Sequence, residues 1–451
     1  MLIINGKLVF GGEDRQISEG KALLISDGLI REVSPQQELV NRNPGIEIVD
    51  AGGQYVMPGN ICAHTHFYGA FARGMAIPGP APKDFPEILE RLWWPLDRSL
   101  SLEDVRYSAL VSLVDAIRHG TTTLFDHHAS PSAIEGSLDV IAEGVVRSGL
   151  RAVLCYEVTD RDGSVKARAG ITENVRFLDR VRGSGEPGKR LAGIFGLHAS
   201  LTLSDATLDS CREAVPADVG FHIHVAEHEA DELDSVAKSG MRTVNRLARH
   251  DILGPNTLVA HAVHVDEAEI GLLAGSGTWV SHQPRSNMNN AVGAAEVESM
   301  LRAGLKVCLG TDGFQHAMWE EWKAAYLLPK VWHRDPRRMN GEDVFRIAVE
   351  NNASLASQFF PGSPVGRIAP GFAADLIFVD YHPFTELTGE NLPWHILFGF
   401  HESMVTATIV AGKVLMKDRK LLTLDEASIA AAAQELAPSV WSRYRENAWP
   451  A

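Results

Sequence analysis

The sequence predicts an α/β protein: a (β/α)8 TIM-like barrel with a small β-sandwich built from both chain ends. Three observations carry this expectation. Eight apolar, strand-like runs alternate with helical stretches, the pattern of a parallel sheet with helical crossovers. Seven of the eight runs finish on a histidine or an aspartate, and barrels collect their active-site residues at the C-terminal strand ends. The two chain ends carry matching β-segments, NGKLVF at 5–10 and AGKVLMKD at 411–418, so one sandwich built from both is expected.

The chain has 451 residues, which suits a barrel of roughly 250–300 residues plus an accessory domain. Residues 1–56 read as short β-segments broken by turns, and GFAADLIFVD (371–380) and VTATIVAGKVLMKD (405–418) match them late in the chain. The expected division is therefore 1–56 with 365–430 as a composite sandwich, 57–364 as the barrel, and 431–451 as a helical tail. The eight barrel runs are VMPGNICAHTH (56–66), TTTLFDHH (121–128), RAVLCYEV (151–158), LAGIFGLH (191–198), GFHIHVAE (220–227), TLVAHAVH (257–264), GTWVSHQP (277–284) and KVCLGTDG (306–313). Between the first two, SLEDVRYSALVSLVDAIRHG (101–120) reads as a helix, with Ser101 opening a capping pattern and Gly120 ending it. GSGEPGKR at 183–190 contains glycine spacings of a phosphate loop. It leaves a helix and enters a strand, the wrong context, and reads as a surface loop. SIAAAAQELAPSVWSRYREN near the C-terminus reads as an amphipathic helix packing on the barrel or on a partner subunit.

Composition excludes several classes. Acidic residues outnumber basic ones, 57 to 42, for a formal net charge of −15. Nucleic acid and anionic membranes both want a basic face, so neither is expected as a partner. The opening MLIINGKLVFGGEDRQ does not read as a signal peptide, and no run of about 18 apolar residues is available to span a bilayer. Cys62, Cys155, Cys211 and Cys308 form no pairing framework; three of them lie in apolar, strand-like runs and read as small buried hydrophobes, which fits a reducing cytoplasm. A homo-oligomer is expected.

His64-Thr65-His66 is the first hard signal. Residues two apart on a strand share a face, so both imidazoles can reach one metal. His224 stands three residues before Glu227, where the fifth run opens into a loop, and Gly310-Thr311-Asp312-Gly313 presents one carboxylate at the eighth. His261 ends the sixth apolar stretch. Imidazole with carboxylate suits zinc or ferrous iron.

HxH after a Pro-Gly turn, HxxE, a strand-end histidine and GTDG together resemble the amidohydrolase superfamily, in the branch of the cytosine, guanine and S-adenosylhomocysteine deaminases and the triazine hydrolases. The resemblance covers essentially the whole chain. LWWPLDRSL, TTTLFDHHASP, RSNMNNAVG and LGTDG are still more similar to the aminohydrolases called SsnA, a likeness that names no substrate. The resemblance implies His64, His66, His224 and Asp312 as ligands of one divalent metal, zinc before iron. It implies Glu227 as proton shuttle, and His261 with Asp312 as holders of a metal-bound hydroxide. Dinuclear relatives bridge two metals through a modified lysine ending the fourth strand. LAGIFGLH ends on His198 instead, so a mononuclear site is implied. The expected reaction is hydrolytic deamination of a purine, pyrimidine or pteridine ring; the alternative is opening of a cyclic amide or removal of a halide.

For substrate contacts, Trp93 with Trp94 can stack on a flat heterocycle or simply fill the core. His198 and His128 face the same mouth, although one of the His127–His128 pair can instead hold a loop. Arg285 can bind a carbonyl or carboxylate, or close a loop salt bridge, and Asp126 can orient a neighbouring histidine. Glu229, Asp231 and Glu232 read as a solvated helix start.

Overall fold

The computed structural model describes residues 1–12, 15–182 and 190–448. The expected loop at 183–190 lies, but for its last residue, outside them.

Eight parallel strands form the barrel. They are β1 (Asn60–Thr65), β2 (Thr121–His128), β3 (Arg151–Tyr156), β4 (Leu191–Gly193 continued by Phe195–Ala199), β5 (Phe221–Val225), β6 (Leu258–His261), β7 (Trp279–His282) and β8 (Lys306–Leu309). β1 to β4 pair in sequence, and the second half of β4 starts the run β5 to β8. A parallel bridge from Val158 to Leu197 joins the two runs, and one from Thr65 to Asp312 closes β8 onto β1. At that seam the backbone N–H groups of Thr311 and Asp312 donate to the His64 carbonyl at 2.9 and 3.0 Å. Lower down, the buried Asn352 amide donates to the carbonyls of Ile61 and Leu309, at 2.6 and 3.0 Å. Barrel closure and the placement of His64 and Asp312 therefore rest on the same peptide groups.

Inside the barrel Phe125, Val153, Leu258 and Trp279 pack as one buried apolar cluster, while Leu124, Leu154, Leu197, Ile223 and Val259 on the opposite strand faces are fully buried against the surrounding helices, each side chain contributing about 1.5–3 kcal/mol. The helix Leu102–Arg118 starts with a complete capping box between Ser101 and Asp104.

The sandwich has two sheets. One orders Leu29–Pro35, Lys21–Ser26, Leu2–Ile4 and Ile48–Asp50; the other orders Lys420–Leu421, Lys413–Lys417, Val405–Val410, Leu376–Val379, Tyr55–Pro58, Lys7–Val9 and Ile17–Ser18. Ile3, Leu23 and Val56 from the start of the chain pack with Leu376 and Ile409 from its end. Arg151 at the foot of β3 holds Asp375 through two hydrogen bonds of 2.9 and 3.2 Å. This buried pair fastens sandwich to barrel.

One expected strand divides in two. VMPG and NICAHTH were read as a single run, whereas Tyr55–Pro58 pairs antiparallel with Leu376–Val379 in the sandwich and β1 begins only at Asn60. Gly59 makes the break: a Cβ there would lie 2.2 Å from the Thr122 side chain, so only glycine lets the chain cross from sandwich to barrel. The terminal helix spans Glu426–Ala448 and starts before the expected tail. It lies on the barrel, where Trp441 Nε1 donates to the Phe71 carbonyl at 2.9 Å and Arg443 pairs with the buried Asp104. Among the described residues no helix is long and apolar enough to cross a membrane.

Candidate metal centre and active site

The strand ends bring His64, His66, His224, His261 and Asp312 into one buried cluster. Carbonyl partners set two of the imidazoles. His66 Nδ1 donates to the His127 carbonyl at 2.6 Å, and His224 Nδ1 donates to the His198 carbonyl at 2.7 Å. A carbonyl oxygen only accepts, so in the neutral rings both Nε2 atoms carry lone pairs, and these face each other 3.2 Å apart. Asp312 Oδ1 stands 3.1 Å from His66 Nε2 and 3.8 Å from His64 Nε2. His64 Nε2 is itself buried with no hydrogen-bond partner among the described residues.

Converging lone pairs beside a carboxylate repel unless a cation lies among them. Burial opposes charge on His66, yet the hydrogen bond and charge of Asp312 raise it to about 9; the cluster draws positive charge, which either a proton on Nε2 or a metal ion in its place supplies. Three imidazoles and one carboxylate fit zinc or ferrous iron, so the residues present suit the metal that the sequence implies.

His261 and Glu227 stand beside these groups. His261 Nδ1 faces Asn287 Oδ1 at 2.9 Å, while its Nε2 lies 3.4 Å from Glu227 Oε2 and 3.7 Å from Asp312 Oδ2. Asn290 Nδ2 donates to Glu227 Oε1 at 3.2 Å. Burial pushes the Glu227 carboxyl up to about 7, against the pull of His261. Ala226, His261, Ala262 and Asp312 all have left-handed backbone, with φ of 48°, 74°, 49° and 54°. Such strain in non-glycine residues gathers at functional sites. Ser286 Oγ donates to Asp312 Oδ2 at 2.6 Å and helps hold that turn.

Above the cluster opens a cleft whose walls include Tyr68, Phe85, Trp93, Trp94, His198 and Glu227. Trp93 ends a π-helical turn, Leu89–Trp93, and a Cβ on Gly69 or Gly313 would come within 3.3 or 3.2 Å of its ring. His198 also lines the cleft, its Nδ1 held 2.7 Å from Thr202 Oγ1.

Two expected substrate contacts are not brought there. Arg285 points away into a cage of Glu320, Glu321 and the Gln315 carbonyl, because the buried Glu321 carboxylate claims its guanidinium. His128 packs behind the Tyr68 and Tyr156 rings and holds Ser130 Oγ at 2.9 Å. The Asp126 carboxylate holds no histidine among the described residues; its Oδ1 accepts the Phe67 backbone N–H at 2.8 Å. The solvated helix start holds for Glu229 alone, since Asp231 and Glu232 are 2% and 6% exposed. Asp231 accepts the backbone N–H groups of Leu201 and Ala226, both at 2.8 Å.

One buried acid escaped the sequence reading. Glu157, 1% exposed, lies 3.4 Å from His66 Nδ1, 3.2 Å from His127 Nδ1 and 3.8 Å from His198 Nε2. Its signal was present: RAVLCYEV was the one apolar run without a terminal histidine or aspartate, and it carries a glutamate at that level.

The sequence pattern of the amidohydrolase family matches residues 55–415. The chain belongs to the amidohydrolase family. It is 33% identical over 426 residues to 5'-deoxyadenosine deaminase of Methanosarcina mazei, covering 93% of this chain and 94% of that one. It is 31% identical to 5-methylthioadenosine/S-adenosylhomocysteine deaminase of Syntrophomonas wolfei, covering 92% and 93%. An adenosine deaminase from Xanthomonas campestris with bound zinc superposes on this amidohydrolase with a TM-score of 0.84 at 24% identity, covering 98% of both chains. That likeness is one of fold, as is the one to an atrazine chlorohydrolase of Arthrobacter aurescens, with a TM-score of 0.82 at 19% identity and coverage of 97% and 100%.

Proposed function

We propose that this amidohydrolase uses one divalent metal, zinc before iron, to deaminate a purine nucleoside of adenosine type hydrolytically. His64, His66, His224 and Asp312 would hold the metal. When bound, such an ion supplies Lewis acidity to water and to the developing negative charge. The observation that carries the reading is the position of Glu227, which reaches both the donor cluster, through His261, and the cleft.

The other steps fall to the chain's own groups. Trp93 packs on the flat face of the ring, and His198 donates to or accepts from a ring nitrogen. Glu227 takes a proton from the attacking water and delivers it to the ring nitrogen beside the amino-bearing carbon. That carbon becomes electrophilic, and water oxygen adds to it. His261 and Asp312 orient the added oxygen and accept its remaining proton, which leaves with the amine as ammonia. The balance is amine plus water giving a ring carbonyl plus ammonia. Deaminase names among relatives aligned over more than nine-tenths of the chain support the adenosine type. The four buried free cysteines support a cytoplasmic setting, and the exposed Val331, Trp332 and Phe398 support a homo-oligomer.

The test is ammonia release by purified, zinc-loaded protein given adenosine, 5'-deoxyadenosine, 5'-methylthioadenosine and S-adenosylhomocysteine. Guanine, cytosine and a chlorotriazine serve as comparisons. Turnover of at least one adenosine-type nucleoside is expected. Chloride release alone, or no ammonia from any nucleoside, overturns the reading.

A further inference from the structure

Two of the three ligand histidines hold their Nδ1 hydrogen on a backbone carbonyl, but the third does not. His64 Nδ1 faces a side chain, Nε2 of the fully buried His222, at 2.9 Å. Two imidazole nitrogens can share one hydrogen in either direction, so this contact alone leaves the His64 tautomer open. The groups behind His222 settle it. Cys155 Sγ lies 3.5 Å from the Asp126 carbonyl, which can only accept, so the thiol hydrogen points there. The sulfur lone pairs are then left to receive His222 Nδ1–H, at 3.9 Å.

We infer that His222, backed by Cys155, is a positioning residue that fixes the His64 tautomer and so presents its Nε2 as a metal-binding lone pair. The chain of donors runs one way: His64 Nδ1–H to His222 Nε2, His222 Nδ1–H to Cys155 Sγ, Cys155 S–H to the Asp126 carbonyl. The reverse order fails twice. It would put a hydrogen on His64 Nε2, which is buried without an acceptor among the described residues, and it would set a His222 lone pair against the sulfur with no hydrogen between them. His222 is also held in place from its other side. The His127 ring stacks on it with centroids 4.4 Å apart, and His127 Nε2 donates to the His222 carbonyl at 3.1 Å.

Two readings of neighbouring residues change as a result. His127, Cys155 and His222 bring their donor atoms within 4.8 Å of one another, as a second metal site would. The hydrogens and lone pairs of Cys155 and His222 are committed to the relay, and the group serves the first site instead. Cys155, which reads from sequence as a plain buried hydrophobe, supplies the sulfur that orients the relay.

The inference rests on His64 being a metal ligand, as proposed above, and metal affinity tests it without recourse to turnover. The probe is zinc alone, titrated into metal-free protein against a competing chelator, for the wild type and the variants His222→Leu, His222→Asn and His222→Gln. Leucine accepts no hydrogen bond. Asparagine is polar but too short to place an oxygen where Nε2 stood, whereas the glutamine amide oxygen reaches it. Outer partners of ligating histidines are worth about 10–100-fold in metal affinity, so that loss is expected for Leu and Asn. Gln should stay within about threefold of the wild type, since it restores the acceptor. Thermal unfolding of the metal-free proteins shows whether a weak variant is merely misfolded, and the Asn–Gln contrast between two polar variants decides if Leu is. Equal zinc affinity in all four proteins, or a loss in Gln as large as in Asn, overturns the relay. A wild type that takes up no zinc overturns the proposed function itself, and the relay with it.

Discussion

The carboxylate of Asp231 accepts the backbone N–H of Ala226 at 2.8 Å, one residue before Glu227. Ala226 has φ of 48°, a conformation that costs a non-glycine residue energy and needs its surroundings to hold it. The other Asp231 oxygen takes the Leu201 N–H after β4. One buried side chain thus ties the turn carrying the proposed proton shuttle to the preceding strand end.

Asp231→Ala is therefore expected to leave the buried Ala226 N–H and the partly buried Leu201 N–H without this partner. The buried one costs about 1–3 kcal/mol, and turnover should fall because Glu227 loses its fixed approach. Urea unfolding together with steady-state kinetics checks both effects. A variant as stable and as active as the wild type would show that the turn holds itself.

Glu227→Gln keeps shape and hydrogen-bonding reach but cannot accept a proton. General acid–base groups contribute about 10²–10⁴-fold, so turnover should drop by that factor. Zinc content should stay unchanged, since Glu227 contacts His261 and Asn290 rather than the three facing imidazoles. Near-normal turnover in this variant would place the shuttle on another carboxylate, with Asp312 the next to test.

The wild type should hold one zinc or iron per chain, and His64→Ala and Asp312→Ala should lose metal and activity together. Both variants should remain folded. The groups lie at strand ends above the packed interior, and the seam bonds at His64 and Asp312 are made by backbone atoms that alanine retains. Elemental analysis decides. Two tightly bound metals per chain would end the mononuclear assignment, and full metal content in either variant would remove that residue from the ligand set.

Arg285 and Trp93 should separate cleanly. Arg285→Ala strands the fully buried Glu321 carboxylate; breaking a buried pair in this way costs about 3–5 kcal/mol. Its effect should appear in chemical denaturation, with KM little changed. Trp93→Ala removes a wall of the cleft and should raise KM while the melting temperature moves less. The opposite pattern would return Arg285 to the substrate.

Sequence by itself determined the barrel, the union of both chain ends in a sandwich, and which residues stand at the strand ends. These follow from periodicity and from covalent order. His64 and His66 share a face because alternate strand residues do, and a polar residue ending an apolar run must sit where the run meets the mouth. Sequence also held the exception in the third run, where Glu157 ends at the level that histidine or aspartate occupies elsewhere.

Tertiary structure alone decided what each polar group faces. Arg285 and Trp93 look equally suited to a ligand in one dimension, yet a buried glutamate 36 positions away takes the guanidinium. Asp231 looks like a solvated helix start until the β4–β5 contact buries it against Leu201. The split at Gly59 depends on the approach of Thr122, and the orientation of His64 depends on His222, 158 residues later. A hydrogen bond or a steric contact is set by distances of a few ångströms between residues far apart in the chain, and local sequence carries no measure of those distances.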